Sequence, residues 1–62
     1  MPVIEVSLTS GRSTAQKREF AAAATREAAR IFGLPPEAVW VVFRDVSRED
    51  WATGGVLISE KT

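Results

Sequence analysis

The sequence predicts an α/β fold: a β-α-β unit with two parallel main strands, one long helix and a short C-terminal hairpin. Three observations lead to it: an alternating apolar run near the start, a helical pattern of about nineteen residues, and a later run rich in β-branched residues. Two strands joined through a helix lie parallel, and their crossover is expected to be right-handed. The 62 residues suffice for a single domain, residues 1–62.

The first strand is predicted in residues 3–8. Apolar residues alternate there in the period-2 pattern of a half-buried strand: Ile4, Val6 and Leu8 against Val3, Glu5 and Ser7. The next four residues, Thr9-Ser10-Gly11-Arg12, are typical of a turn. The strand should therefore end just before a turn that leads into the helix.

The helix is predicted from about Thr14 to Phe32. Ser13 offers an N-cap, and Gln16 completes a capping box. Gly33 follows the last apolar residue, where a C′ glycine belongs, and two prolines then forbid continuation. Residues at helical spacing form one apolar face: Phe20, Ala24, Ala28 and Ile31.

The second strand is predicted from Ala38 to Val46, a segment dense in β-branched and aromatic residues. Alternate residues form two faces: Val39, Val41 and Phe43 on one, and Trp40, Val42 and Arg44 on the other. A charged, loop-like stretch follows in residues 47–50. Gly54-Gly55 then supplies a tight turn, and residues 56–58 supply a short strand or hairpin arm.

Composition limits what so short a chain can be. Hydrophobic residues make up 45% of it, but there is no cysteine or histidine to form a disulfide or a common metal site. One helix covers only one face of a sheet, so we expect an obligate oligomer. Eight basic and eight acidic residues cancel without a basic stripe. We expect no nucleic acid, no membrane, no metal and no other cofactor, and, without an export signal, a cytoplasmic location.

Pro2 is the residue that points most directly to chemistry. Methionine aminopeptidase readily removes Met1 when proline follows, and Pro2 would then carry a secondary amine. An α-amino group titrates near about 7.7–8, and a nearby cation or an apolar pocket lowers its pKa further. Such a group can act as a general base at neutral pH. The alternative is that proline at this position is merely harmless.

Residues spread over essentially the whole chain resemble the sequence pattern of one family. They are Pro2, Gly11-Arg12-Ser13, Gln16-Lys17, Pro35, Trp51 and Gly54-Gly55. In their spacing, and in the length of the chain, they are similar to the 4-oxalocrotonate tautomerase family. The resemblance implies a tautomerase-like domain over residues 1–62, assembled as a homohexamer that is a trimer of dimers.

The resemblance also implies roles for individual residues. Pro2 would move a proton between oxygen and carbon of an enol or dienol, and Arg12 would bind the substrate's carboxylate. The planar guanidinium of Arg12 matches a carboxylate in any case, although a solvated position in the turn is the common alternative. Trp51 would line the pocket, while a core or interface position suits a large aromatic equally well.

The sequence departs from the family pattern at Trp40, where well-known members carry a second arginine that polarises the far end of a dicarboxylate. Trp40 is expected either to form an apolar wall that favours a monocarboxylate, such as phenylenolpyruvate or a simple 2-hydroxydienoate, or to pack at a subunit contact. Arg44 lies on the same face about 13 Å away, and it replaces the missing cation only if the subunits bring it to the pocket. Related dehalogenases carry an acidic residue that activates water, close to the position of Thr53 in this chain. Threonine cannot replace that acid, so dehalogenation or hydration is a minor alternative.

The sequence therefore predicts a cofactor-independent keto–enol tautomerase of 2-hydroxydienoate or enolpyruvate-type carboxylates. Its catalytic residues would be Pro2 and Arg12, and its substrate-binding residues Arg12, Trp51, Trp40 and Arg44. The alternative is a non-catalytic subunit of the same fold, or a subunit that pairs with a paralogous chain carrying the missing arginine.

Overall fold

The computed structural model describes residues 1–61, and the order of its elements confirms the predicted β-α-β unit. The elements are β1 (Val3–Thr9), α1 (Thr14–Phe32), β2 (Trp40–Val46), β3 (Ala52–Thr53) and β4 (Val56–Leu57). The first two strands pair in parallel, and the last two pair antiparallel as a small hairpin. Both the long helix and the C-terminal hairpin are therefore where the sequence predicts them.

The register of the main sheet decides which residues share an end of the molecule. Val3 lies opposite Trp40, and Thr9 lies opposite Val46. Because β1 and β2 run the same way, their N-terminal residues meet at one end of the sheet and their C-terminal residues at the other. Helix α1 lies between the two strands along the chain and runs in the opposite direction to both, as a parallel crossover requires.

Both ends of α1 follow the local sequence signals. The hydroxyl of Ser13 accepts the N–H of Gln16 at 3.1 Å, and the side-chain oxygen of Gln16 accepts the N–H of Ser13 at 3.0 Å. This is the predicted capping box. At the other end Gly33 adopts φ 66°, a left-handed conformation that suits a residue without Cβ.

Strand β2 begins two residues later than predicted, at Trp40 rather than Ala38. Pro36–Ala38 instead forms a turn of 3₁₀ helix, in which the N–H of Val39 donates to the carbonyl of Pro36 at 3.1 Å. The ring of Pro36 favours this turn because it fixes φ at a helical value. The charged stretch after β2 also contains a 3₁₀ turn, Arg48–Asp50, in place of an irregular loop.

One chain encloses very little core. Helix α1 covers one face of the sheet, where the rings of Phe20 and Phe43 meet edge to face with centroids 6.2 Å apart. Among residues 1–61, Ala28 and Val39 alone are buried, each with 8% of its surface exposed. The predicted apolar face of α1 does not extend to Ile31, which is 62% exposed. The helix spans about 28 Å and the strands about 20 Å, so the sheet cannot cover the helix along its whole length.

The shape of the chain also departs from that of a compact monomer. Its radius of gyration is 14.7 Å, against about 11 Å for a compact domain of this length. Its accessible surface is 4688 Å², whereas about 4,000 Å² is typical for this mass. In residues 1–61 we find no helix that is both long enough and apolar enough to cross a membrane.

Candidate active site

Pro2 and Trp40 lie side by side at the N-terminal end of the sheet. The carbonyl of Pro2 accepts the backbone N–H of Trp40 at 3.0 Å, which extends the parallel ladder by one bond. Pro2 is half-buried, whereas Met1 in front of it is 76% exposed. The bond between Met1 and Pro2 is therefore open to an aminopeptidase. While Met1 remains, the nitrogen of Pro2 is an amide and has no basicity.

The surroundings of this end of the sheet are apolar. Trp40 is 53% exposed, and Val3, directly opposite it, is 48% exposed. Both belong to the sheet face that α1 does not cover. An amine at this end of the sheet would have exposed apolar residues near it on both strands, and apolar surroundings disfavour a charged ammonium.

Arg12 occupies the turn between β1 and α1, at the opposite end of the sheet. It borders a shallow cleft of about 250 Å³ between the helix and the sheet. The other residues that line the cleft are Val6, Leu8, Gln16, Lys17, Phe20 and Phe43. A guanidinium beside apolar walls suits a carboxylate attached to an apolar body.

Lys17 and Asp45 form an ion pair next to this cleft that sequence reasoning did not identify. The ammonium of Lys17 donates to Oδ2 of Asp45 at 2.7 Å, joining α1 to β2. The signal was present, because alternation along β2 places Asp45 on the face toward the helix. With the charge of Lys17 engaged in this way, Arg12 is the cation of the cleft that has no ion-pair partner within residues 1–61.

The structure does not bring Pro2 and Arg12 together within one chain. Strand β1 runs from Val3 to Thr9 between them, and seven strand residues span about 20 Å. Neither Pro2 nor Trp40 lines the cleft at Arg12. The two predicted catalytic residues therefore occupy opposite ends of the same strand.

Trp51 follows the C-terminal end of β2, on the side of Arg12 rather than of Pro2. Its carbonyl accepts the N–H of Ile58 at 2.8 Å, and this bond closes the base of the small hairpin. Gly54-Gly55 forms the hairpin's turn with φ of 60° and 81°, as a type I′ turn requires. Trp51 is half-buried, and its backbone is fixed at the start of the hairpin.

Arg44 lies on the exposed sheet face, where its guanidinium forms an ion pair with Glu5. Nη2 of Arg44 donates to Oε1 of Glu5 at 3.0 Å, from one main strand to the other. Arg44 is also four residues along β2 from Trp40, or about 13 Å. Within one chain, therefore, Arg44 does not reach Pro2.

The outer surface of α1 carries a further ion pair. Arg30 donates to Glu27 at 2.7 Å, and this hydrogen bond lowers the pKa of the Glu27 carboxyl and raises that of Arg30. Both side chains are exposed, so the pair belongs to the helix surface and not to either end of the sheet.

In the part of the chain described, no three histidine, cysteine, aspartate or glutamate side chains cluster so as to hold a metal ion.

Known proteins match this chain over nearly its whole length. The family described as Tautomerase enzyme matches residues 2–61. A probable tautomerase of Ralstonia nicotianae is 34% identical over 61 residues, which are 98% of this chain and 94% of that protein.

Two solved structures share the fold from end to end. A 4-oxalocrotonate tautomerase homologue is 44% identical with a TM-score of 0.93, and the match covers 100% of this chain and 98% of that one. The heterohexamer 4-oxalocrotonate tautomerase from Chloroflexus aurantiacus is 33% identical with a TM-score of 0.90, over 97% of each chain. The chain therefore belongs to the tautomerase family, among the homologues of 4-oxalocrotonate tautomerase.

Proposed function

We propose that the chain is a cofactor-independent keto–enol tautomerase whose base is the nitrogen of Pro2 after Met1 has been removed. Membership of the tautomerase family supports this class of reaction. The observation that carries the role of Pro2 is its position at an apolar end of the sheet, beside Trp40 and Val3. Apolar contacts keep an amine neutral, and a neutral amine can accept a proton.

The proposed reaction moves one proton. The amine of Pro2 takes the proton from the enol hydroxyl, the oxygen becomes a carbonyl, and the same proton is delivered to carbon at the far end of the conjugated system. The substrate gains and loses nothing else, so the reaction needs no oxidant, reductant or metal. Arg12 binds the substrate's carboxylate through its planar fork and draws electron density along the conjugated chain.

The separation of Pro2 from Arg12 means that the proposed site needs two copies of the chain. Strand β1 is an edge strand, since among residues 1–61 it pairs with β2 alone. Two copies that joined antiparallel through β1 would place Pro2 of one copy near the Arg12 turn of the other. Trp51 of the second copy would lie at the same end, because it follows β2 on the side of Arg12.

A two-fold pair of this kind would contain two equivalent sites. It would also cover part of the large surface that a single chain exposes. Three such pairs would give the hexamer that the family resemblance implies. The alternative to identical copies is an assembly with a paralogous second chain. The heterohexamer from Chloroflexus aurantiacus is a relative of this kind.

The proposed substrates are 2-hydroxydienoates and enolpyruvate-type carboxylates. The test is the ketonisation of 2-hydroxymuconate and of phenylenolpyruvate, followed by ultraviolet absorbance, with an intact mass confirming that Met1 is absent. Pro2→Ala leaves a primary amine that no ring holds in position, and because a well-placed general base contributes about 10²–10⁴-fold, kcat/KM should fall about 100-fold.

The matched control is the same chain with Met1 retained, because its Pro2 nitrogen is an amide. This form should be inactive while it keeps the fold and the assembly of the processed protein. Equal activity in the processed and unprocessed forms would contradict the role of Pro2. A processed protein that converts neither substrate would favour the non-catalytic subunit.

A further inference from the structure

Gln16 carries a side-chain amide whose orientation the fold determines. Its amide oxygen accepts the backbone N–H of Ser13 at 3.0 Å in the capping box. Because an N–H can only donate, the atom that faces it has to be the oxygen, and this fixes which way the amide lies. Within residues 1–61 the NH₂ group of Gln16 donates to no protein acceptor. It is therefore available to a ligand.

Gln16 and Arg12 line the same cleft between the helix and the sheet. Both are exposed, so a ligand that enters the cleft from solvent can meet both of them. The apolar walls of the cleft come from Val6, Leu8, Phe20 and Phe43. With a volume of about 250 Å³, the cleft has room for a small organic acid.

Lys17 also lines the cleft, but its charge is already engaged. Its ammonium lies 2.7 Å from Oδ2 of Asp45. Among the residues that line the cleft, Arg12 and Gln16 are thus left with donors that have no carboxylate partner within residues 1–61. A carboxylate has two acceptor oxygens and no donor when it is ionised, so it complements such a pair.

We propose that Gln16 is a second substrate-binding residue, whose NH₂ group donates to the carboxylate that Arg12 binds. This inference rests on the proposed function and assigns the cleft to carboxylates that carry an apolar body. The capping box holds the amide in place before the ligand arrives, so little side-chain freedom is lost on binding. A hydrogen bond to a charged group changes an equilibrium by about 10- to 150-fold.

Gln16→Glu separates this role from that of the helix cap. The glutamate carboxylate still accepts the N–H of Ser13, so the unfolding midpoint in urea should stay near that of the wild type. The NH₂ donor, however, is replaced by a negative charge that repels a carboxylate. Calorimetric titration with 3-phenylpropionate, an unreactive monocarboxylate with an apolar body, should give a Kd at least about tenfold above the wild-type value. The KM for phenylenolpyruvate should rise similarly, with a smaller change in kcat.

Two controls show whether the effect arises from the carboxylate in the cleft. Ala15→Glu adds the same charge to the same turn of α1, at an exposed residue outside the cleft. It should leave the Kd of 3-phenylpropionate nearly unchanged. The neutral ligand 3-phenylpropionamide has the same apolar body, and Gln16→Glu should bind it about as well as the wild type does.

Turnover and binding test the two levels of the proposal separately. A Gln16→Glu protein with the wild-type Kd for 3-phenylpropionate would overturn the inference and leave the tautomerase function intact. Equal weakening by Ala15→Glu would also overturn it, because the added charge alone would then explain the loss. Turnover of neither phenylenolpyruvate nor 2-hydroxymuconate, with Met1 absent, would overturn the proposed function and with it the substrate role of Gln16, whatever the Kd.

A second variant covers the case in which Gln16→Glu fails to assemble. Gln16→Ala removes the amide together with one bond of the capping box, whereas Ser13→Ala removes the other bond and leaves the amide in place. Gln16→Ala should weaken the binding of 3-phenylpropionate at least about tenfold, and Ser13→Ala should weaken it far less. Equal losses in these two variants would assign Gln16 to the helix cap and contradict the proposal.

Discussion

At the scale of single residues, the proposed chemistry is divided between two groups of different character. Pro2 would act through a nitrogen whose basicity depends on the loss of Met1 and on apolar neighbours. Arg12 would act by geometry, through a planar guanidinium fork that matches a carboxylate. Neither role needs the other residue in the same chain, which is consistent with their positions at opposite ends of β1.

Substitution of Arg12 tests the carboxylate clamp. Arg12→Ala should lower kcat/KM about 10- to 150-fold, because it removes a hydrogen bond to a charged group. Arg12→Lys should recover part of the loss, since it keeps the charge but not the fork. Steady-state kinetics on phenylenolpyruvate would measure both effects.

The control for Arg12 is Arg18→Ala, an exposed arginine of α1. It removes the same side chain from the helix surface, so activity should stay close to that of the wild type. If Arg12→Ala behaved like Arg18→Ala, Arg12 would be a solvated residue of the turn and not a clamp.

At the scale of elements, the helix ends depend on a few short hydrogen bonds. Ser13→Ala removes the hydroxyl that caps the helix at 3.1 Å from the N–H of Gln16. The free energy of unfolding should fall by about 1 kcal/mol per chain. Urea unfolding at one fixed protein concentration would measure the change, because assembly makes stability depend on concentration.

Ser59→Ala provides the comparison for this prediction. Ser59 is an exposed serine near the C-terminus, outside α1. Its substitution should leave the unfolding midpoint almost where it is in the wild type. Equal midpoints for the two variants would show that the capping box contributes nothing measurable.

The sequence predicts these elements because their signals are local. Ser13, Gln16 and Gly33 lie within or next to the helix they delimit, and alternation along each strand assigns its faces. The bond between Arg44 and Glu5 joins residues 39 positions apart, and no short-range pattern contains it. The exposure of Ile31 likewise depends on how far the sheet extends beneath the helix. The separation of Pro2 from Arg12 was predictable, since the strand between them has seven residues.

At the scale of the whole molecule, one chain is an incomplete structure. Large apolar side chains remain exposed in the last turn of α1 and on the uncovered sheet face, among them Ile31, Phe32, Val3 and Trp40. The chain measures 43 × 23 × 14 Å, a long and flat shape for its mass. A second copy would both cover such surface and complete the proposed site, so folding and catalysis would depend on the same contact.

Complementation between two variants of low activity tests this shared site most directly. Pro2→Ala and Arg12→Ala would be refolded together in equal amounts, and ketonisation of phenylenolpyruvate would be compared with each variant alone. A mixed pair contains one site with both Pro2 and Arg12 intact. Because half of the pairs are mixed and half of their sites are intact, the mixture should recover about a quarter of the wild-type activity. Activity no higher than the average of the two variants, in a mixture shown to exchange subunits, would contradict a site built from two copies.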